Sequence, residues 1–369
     1  MKKRLFLICS TIILLSSCTR KAKEQLPEVP VTEINLTTFK EIPFERLPVD
    51  IIKNKRYINL EMKDGDNYVG LIDKIMHKNG IYYVLDVRKK ILVAFGESGN
   101  YIATIGKLGT DYLNIADFDV NEKGMIYVVD GKADNFLIYA SNFSLLRKIK
   151  SPFEIDVVQK LPDGNFLLGL SSWNKKDNSG DKILRTDKNL AVLNRAAVYN
   201  EFIDDNFWIS RYRFINTGKN IYYNRPIDND VLVFGTDGKL KKAYRFNFGK
   251  MTVPDEDKKD IDGKVARYDD YRLLTNFTFA NERYALGKIW DKRKFKFFFL
   301  DRTKRNFFLE NLLVPNEQSN IIDFDGTNLI SVISAAQFDE KYLKKLPQSA
   351  AEHLNNGGFV ICDTEINLN

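Results

Sequence analysis

The sequence predicts an all-β ring of six four-stranded antiparallel blades, a six-bladed β-propeller closed by a strand from its own N-terminus. Three observations carry this. The stretch Gly80–Asp86 (GIYYVLD) returns 44 residues later as Gly124–Asp130 (GMIYVVD), a period typical of one blade. Six tight turns built on Gly, Asn or Asp recur down the chain, each with a strand-like run on both sides. One strand-like run near the N-terminus, Tyr57–Leu60, has no hairpin of its own, while the last unit is one strand short. The composition agrees, since 26 Phe and 17 Tyr favour strand over helix.

The turns are His77–Gly80, Asn121–Gly124, Leu161–Gly164, Asn216–Lys219, Ala280–Arg283 and Asp325–Asn328. After each hairpin comes a third apolar run: Ile91–Phe95, Phe136–Tyr139, Lys182–Thr186, Val231–Phe234, Lys296–Leu300 and Gly358–Cys362. Five units add a fourth, at Tyr101–Ile105, Leu145–Ile149, Ala191–Ala196, Leu240–Phe246 and Asn306–Leu309. Pairing Tyr57–Leu60 with the sixth unit removes the last open edge. The wider turn spacings after Gly164 leave seven blades or another all-β arrangement open at this level. Two segments interrupt the strands with helical composition: Pro254–Leu274, acidic first and basic later, and Gln337–Leu354, broken near Pro347.

With 369 residues, 44% hydrophobic and 28% charged, the chain can bury a large core. Its first residues are a different matter. Lys2-Lys3-Arg4 is a basic start, and Leu5–Leu15 is an apolar run too short to span a bilayer. Leu15-Ser16-Ser17-Cys18 resembles the lipobox of bacterial lipoproteins, which implies a signal peptide over 1–17 and acyl chains on Cys18. Each buried methylene contributes about 0.8 kcal/mol, so two or three chains would anchor the protein almost permanently. Of the three cysteines, Cys9 leaves with the signal and Cys18 becomes a thioether. Cys362, in the apolar run FVIC, is left as a lone buried side chain.

Residues 18–50 read as a lipidated tether and 51–369 as the propeller, because Pro27, Pro30, Pro43 and Pro48 fall in a stretch with little periodicity. The basic Thr19-Arg20-Lys21 favours an outer-membrane anchor facing the periplasm. Losing the first 17 residues removes three positive charges and lowers the formal net charge from +7 to +4. The remaining basic clusters, such as Arg88-Lys89-Lys90, are interspersed with acids, so nucleic acid is not an expected partner.

The units, best exemplified by Phe95–Asp130, resemble the NHL-repeat-like group of six-bladed β-propeller lipoproteins. That resemblance covers about residues 57–366. It implies the fold and an envelope location, and no general activity.

Strand order places the short first-to-second and third-to-fourth turns on one face of the ring. The longer connections lie on the other, where loops on a rigid scaffold usually carry function. Trp173, Trp208 and Trp290 fall on this long-loop rim and are candidates for stacking on a ligand. Asp86 and Asp130 point to the same rim, as ligand contacts, as acceptors of loop amides, or as cation ligands. His77 sits in a short turn on the opposite face. Nucleophile-elbow, zinc-protease, dithiol and P-loop motifs do not occur, and neither a catalytic residue nor a cofactor is expected. The sequence therefore points to a non-catalytic, membrane-tethered envelope module recognising a glycan, peptide or protein. The alternative is an envelope hydrolase or lyase using rim carboxylates, with or without a metal.

Overall fold

A computed structural model of the chain describes residues 28–44, 47–48, 50–61, 69–172, 174, 180–199, 212–225, 229–258, 260, 269–312, 320–337 and 340–368. Six antiparallel sheets follow one another around a ring, as the turn pattern predicts. Blade 1 is Lys74–Lys78, Ile81–Asp86, Ile91–Gly96 and Tyr101–Thr104. Blade 2 is Ile115–Val120, Ile126–Asp130, Asn135–Tyr139 and Leu145–Lys150, and blade 3 is Ile155–Lys160, Phe166–Leu170, Asp181–Thr186 and Val192–Val198. Blade 4 is Phe214–Asn216, Asn220–Asn224, Asp230–Gly235 and Leu240–Asn247; blade 5 is Leu273–Ala280, Tyr284–Asp291, Lys294–Asp301 and Asn306–Glu310. Blade 6 takes Ile321–Phe324, Asn328–Ser334 and Phe359–Ile366 from the C-terminal part of the chain.

Its fourth strand is Ile52–Leu60, antiparallel to the third, with Cys362 opposite Tyr57 and Phe359 opposite Leu60. This is the closure that the surplus N-terminal run predicts, and it starts five residues earlier than the apolar pattern marks. Blade 1 then grips the closing strand. Gly99 has φ +87°, and a Cβ there would lie 2.0 Å from the Asn59 carbonyl oxygen. Only glycine lets the two backbones approach this closely.

The tether expected over residues 18–50 is not free of the ring. Val31–Asn35 adds a parallel strand outside the fourth strand of blade 4, and Lys40–Phe44 does the same for blade 5. Both run parallel to their host strands, and the three-residue 3₁₀ turn Leu36–Thr38 joins them. The outer edges of blades 4 and 5 are thus arranged head to tail, and the N-terminal segment passes along them as a belt before closing blade 6. Ile34, Leu36, Phe44, Leu47 and Ile51 are buried in the largest apolar cluster, with the Phe44 ring 5.6 Å from Phe297. Periodicity hid these strands because Pro43 sits within one of them. Proline is acceptable on an edge strand because no ladder donor is needed on its outer side.

The expected helical insertions fare differently. Gln348–Asn355 is a helix with Pro347 just ahead of its first turn, preceded by the single turn Glu340–Leu343, matching the predicted break. Within Pro254–Leu274, the described residues form the 3₁₀ turn Asp255–Asp257, two helical residues at Asp269–Asp270 and the start of a strand at Leu273, with 259 and 261–268 outside the described residues. Among the described residues, no helix is long and apolar enough to cross a membrane.

Between blades the core is aromatic. Phe136, Tyr127 and Phe166 meet edge-on between blades 2 and 3, and Tyr222, Phe279 and Phe324 do so across blades 4, 5 and 6. Burying one such ring contributes about 1.5–3 kcal/mol. The channel itself is bridged. Arg213, just ahead of blade 4, donates to the carbonyls of Ile322 (2.6 Å) and Asp73 (2.8 Å). Lys74 of blade 1 donates to Asp117 Oδ1 (2.7 Å) and the Phe118 carbonyl (2.6 Å) of blade 2.

Candidate binding cavity

The first strand of every blade runs toward the short-turn face, so the C-terminal ends of these strands converge there. In the mouth they form is a cavity of about 790 Å³, bounded by the short turns of blades 1, 2, 3, 4 and 6. Its volume lies in the range of sites that enclose drug-sized ligands, roughly 300–1,000 Å³. Lys74 and Asp323 are among its lining residues, and Phe214 and Phe324 add apolar wall.

Three polar residues in this lining share one structural position. Asp119, Gln159 and Asp323 each stand two residues ahead of the residue whose N–H closes the first-to-second turn: Asn121, Leu161 and Asp325. Asp119 is buried, and its Oδ1 accepts from the Val120 N–H at 2.9 Å. Its Oδ2 accepts from Gln159 Nε2 at 2.9 Å and from the Lys160 N–H. Burial pushes the Asp119 carboxyl up to about 7 despite nearby Lys74 and these amides. Asp323 is half-buried, and burial raises it to about 6, partly offset by Arg213 and Lys74. The Lys160 ammonium lies 4.0 Å from the centroid of Phe166 and 5.2 Å from that of Tyr127, and it also donates to the Gly164 carbonyl. Burial lowers its pKa, with Asp163 and Asp119 opposing. His77 stacks on Tyr82 at 4.2 Å, and burial lowers its pKa, so the imidazole is neutral near pH 7.

This cavity lies on the face opposite the long-loop face that the sequence expectation favoured. Residue 173, residues 175–179, 200–211 and 261–268 of that face lie outside the described residues, and with them Trp173 and Trp208; Cys18 lies outside as well. Trp290 is half-buried in the second strand of blade 5, with its ring edge-on to Phe295 at 5.1 Å. Asp86 and Asp130 are both fully buried. Asp86 accepts from the N–H groups of Gly70, Leu71 and Lys89 at 2.8–2.9 Å. Asp130 accepts from Leu113 and Asn114 at 3.0 Å and from Lys132 and Ala133 at 3.3 Å. Each carboxylate therefore ties the incoming and outgoing loops of its blade together, the loop-amide alternative of the sequence reading. Among the described residues, no three His, Cys, Asp or Glu side chains are grouped to hold a metal ion.

Blade 5 has an aspartate in the same place. Asp291 ends the second strand and is buried. It accepts from Arg272 Nε at 2.8 Å and from Lys296, and Arg272 reaches on to Glu41 of the belt at 2.8 Å. The cavity residues were also missed, although a signal existed. A polar residue on an apolar inner strand, two positions before the turn, recurs in blades 2, 3 and 6.

The model of the family described as "Domain of unknown function (DUF4934)" matches residues 33–357. No curated protein matches the chain. Among solved structures, an inferred exported protein from Bacteroides fragilis NCTC 9343 superposes with a TM-score of 0.70 at 17% identity, covering 91% of this chain and 99% of that one. A member of the DUF4221 family from Bacteroides vulgatus ATCC 8482 superposes with a TM-score of 0.50 at 10% identity, covering 86% and 98%. Streptogramin B lyase reaches a TM-score of 0.41 at 12% identity over 75% and 80%, a level from which no activity is carried.

Proposed function

From the premise that this chain belongs to the DUF4934 family, we propose that it is a binding module of the bacterial cell envelope. It is exported, anchored by acyl chains on Cys18 to the outer membrane facing the periplasm, and takes part of a glycan, peptide or protein into the short-turn cavity. The observation that carries this reading is the 790 Å³ cavity at the mouth of a bridged channel, where polar side chains meet aromatic wall. Export is supported by the signal-like N-terminus and by the description of the B. fragilis structure. A hydrolase or lyase is the weaker reading. A general acid must reach the substrate, and Asp119, the carboxyl raised furthest in the cavity, is buried and tied on both oxygens to groups of blades 2 and 3.

The test is capture on immobilised full-length protein of soluble envelope fragments, with glycan and peptide fractions kept apart. Wild type should retain a fraction without converting it. Met125→Trp, which fills the cavity wall, should lose retention at an unchanged melting temperature. Retention unaffected by the filled cavity would refute the site, and turnover of the retained fraction would favour the enzyme. Metabolic labelling with a fatty-acid analogue should mark wild type and spare Cys18→Ala.

A further inference from the structure

The charged residues of the cavity do not all face a ligand as charges. Lys74 is neutralised by Asp117 at 2.7 Å, and Lys78 by Glu122 at 2.7 Å. Asp119 spends both oxygens on Val120, Gln159 and Lys160, and His77 is neutral on Tyr82. The remaining charges fall into two groups. On blades 2 and 3 are Lys123, Arg147, Lys160 and Lys188, none of which has a carboxylate partner among the described residues. Arg147 donates with both terminal nitrogens to the neutral Asn189 side chain (3.0 and 3.1 Å), and Lys160 to a carbonyl. On blade 6, across the ring from blade 3, are Asp323 and Asp325. Asp325 uses Oδ1 to cap its own turn at Thr327 (2.8 Å) and Asn328 (2.6 Å), whereas the Asp323 carboxylate has no side-chain partner among the described residues.

We infer that the cavity selects a zwitterionic, peptide-like ligand, with its ammonium group at Asp323 and its carboxylate across the ring at Lys160 and the rim cations Lys123 and Lys188. This rests on the cavity being the binding site, and it names the chemistry of the occupant. Charges of opposite sign on opposite walls orient a ligand that carries the complementary pair and reject one carrying a single sign. A neutral sugar would offer no counter-charge to Lys160 and Asp323, the two partly buried charges of the pair, while Lys123, Arg147 and Lys188 are exposed and stay solvated. An incoming ammonium favours the Asp323 carboxylate as the anion, against the burial that raises it to about 6.

Alanine peptides isolate the idea, because their only charges are the two termini. Full-length protein is titrated calorimetrically with tri-, tetra- and penta-alanine, with N-acetylated and C-amidated forms, and with chitotetraose as a neutral saccharide. At least one free peptide should bind, and blocking either end should weaken it about tenfold or more, the scale of one charge-assisted contact. Asp323→Asn should bring free and N-acetylated peptides to the same affinity while still discriminating the C-amide. Lys160→Gln combined with Lys123→Ala and Lys188→Ala should do the reverse. Free and blocked peptides binding alike, or no free peptide binding, overturns the inference. Chitotetraose binding more tightly than the peptides, and lost in Met125→Trp, overturns it while leaving the cavity reading intact. Peptide binding that survives Met125→Trp overturns both.

Discussion

In blades 1 and 2 the fourth strand is the outer edge of its sheet, whereas in blades 4 and 5 a further parallel strand from the N-terminal belt covers it. Leu145–Lys150 of blade 2 is exposed at five of six positions, Leu146 at 59%. Lysines and arginines on this strand discourage edge pairing. The loop staples differ in parallel. Asp86 and Asp130 hold backbone amides within their own blade, so the motif is local and repeats. Asp291 holds two cations, one of which also grips Glu41 of the belt. The first pair of blades is complete in itself, and the second is completed by residues more than 200 positions away in sequence.

The largest effect should come from deleting residues 28–44. That removes three buried side chains of the belt, Ile34, Leu36 and Phe44, each of which would cost about 2–5 kcal/mol on truncation, and uncovers two sheet edges. Thermal unfolding should show a collapse of stability or aggregation. Leu146→Ser on the bare edge of blade 2 should stay within about 0.5 kcal/mol of wild type. A deletion that melts like the full chain would mean the belt is an ornament and the two kinds of blade are equivalent.

Next come the staples. Asp291→Ala leaves Lys296 without its buried counterion and Arg272 with Glu41 alone, and should cost about 3–5 kcal/mol in denaturant unfolding. Asp130→Ala strips four loop amides of their acceptor but leaves no charge stranded, and should cost about 2–3 kcal/mol. If Asp130→Ala is stable yet loses ligand, the rim carboxylate is a binding residue after all, and its hydrogen bonds to the loops are incidental.

Where local chemistry repeats, the fold was legible. Gly80 and Gly124, with their apolar runs and terminal aspartates, mark blades 1 and 2, and the unpaired Tyr57–Leu60 signalled closure. Where stability depends on contacts between residues far apart, the pattern faded. Val31–Phe44 looks like a linker because only every second side chain of an edge strand needs to be apolar, and Pro43 breaks the run. Asp291 ends a hairpin whose turn, Ala280–Arg283, lacks the glycine that marks blades 1 and 2, so no local repeat points to it. The cavity was invisible for a different reason. Loop length was the guide to the working face, whereas the described binding space comes from short turns held apart by the ring, with its chemistry on single inward residues such as Asp119 and Asp323.

The smallest prediction sets a buried carboxyl of blade 2 against one of blade 5 by the sign of their pH dependence. Burial disfavours both anions. In Asp291 this is outweighed by Lys296 and Arg272, and its pKa falls; in Asp119 the donors are a glutamine and backbone amides, and burial prevails, lifting it to about 7. Stability changes with pH as the difference in bound protons between unfolded and folded chains. Between the ordinary carboxyl range and pH 7 the unfolded Asp119 has lost its proton and the folded one keeps it. Its contribution is therefore full below about pH 4 and is lost as pH rises through 7. Asp291 works in the opposite sense, stabilising above the ordinary range and losing that as pH falls through its depressed value. The measurement is the unfolding free energy of wild type minus that of Asp119→Asn, followed from pH 5 to 7.5. It should fall by about 2 kcal/mol over that span, while the same difference for Asp291→Asn stays flat there and shrinks only in stronger acid. A flat Asp119 profile would mean that its amide donors stabilise the anion as fully as the two cations do in blade 5.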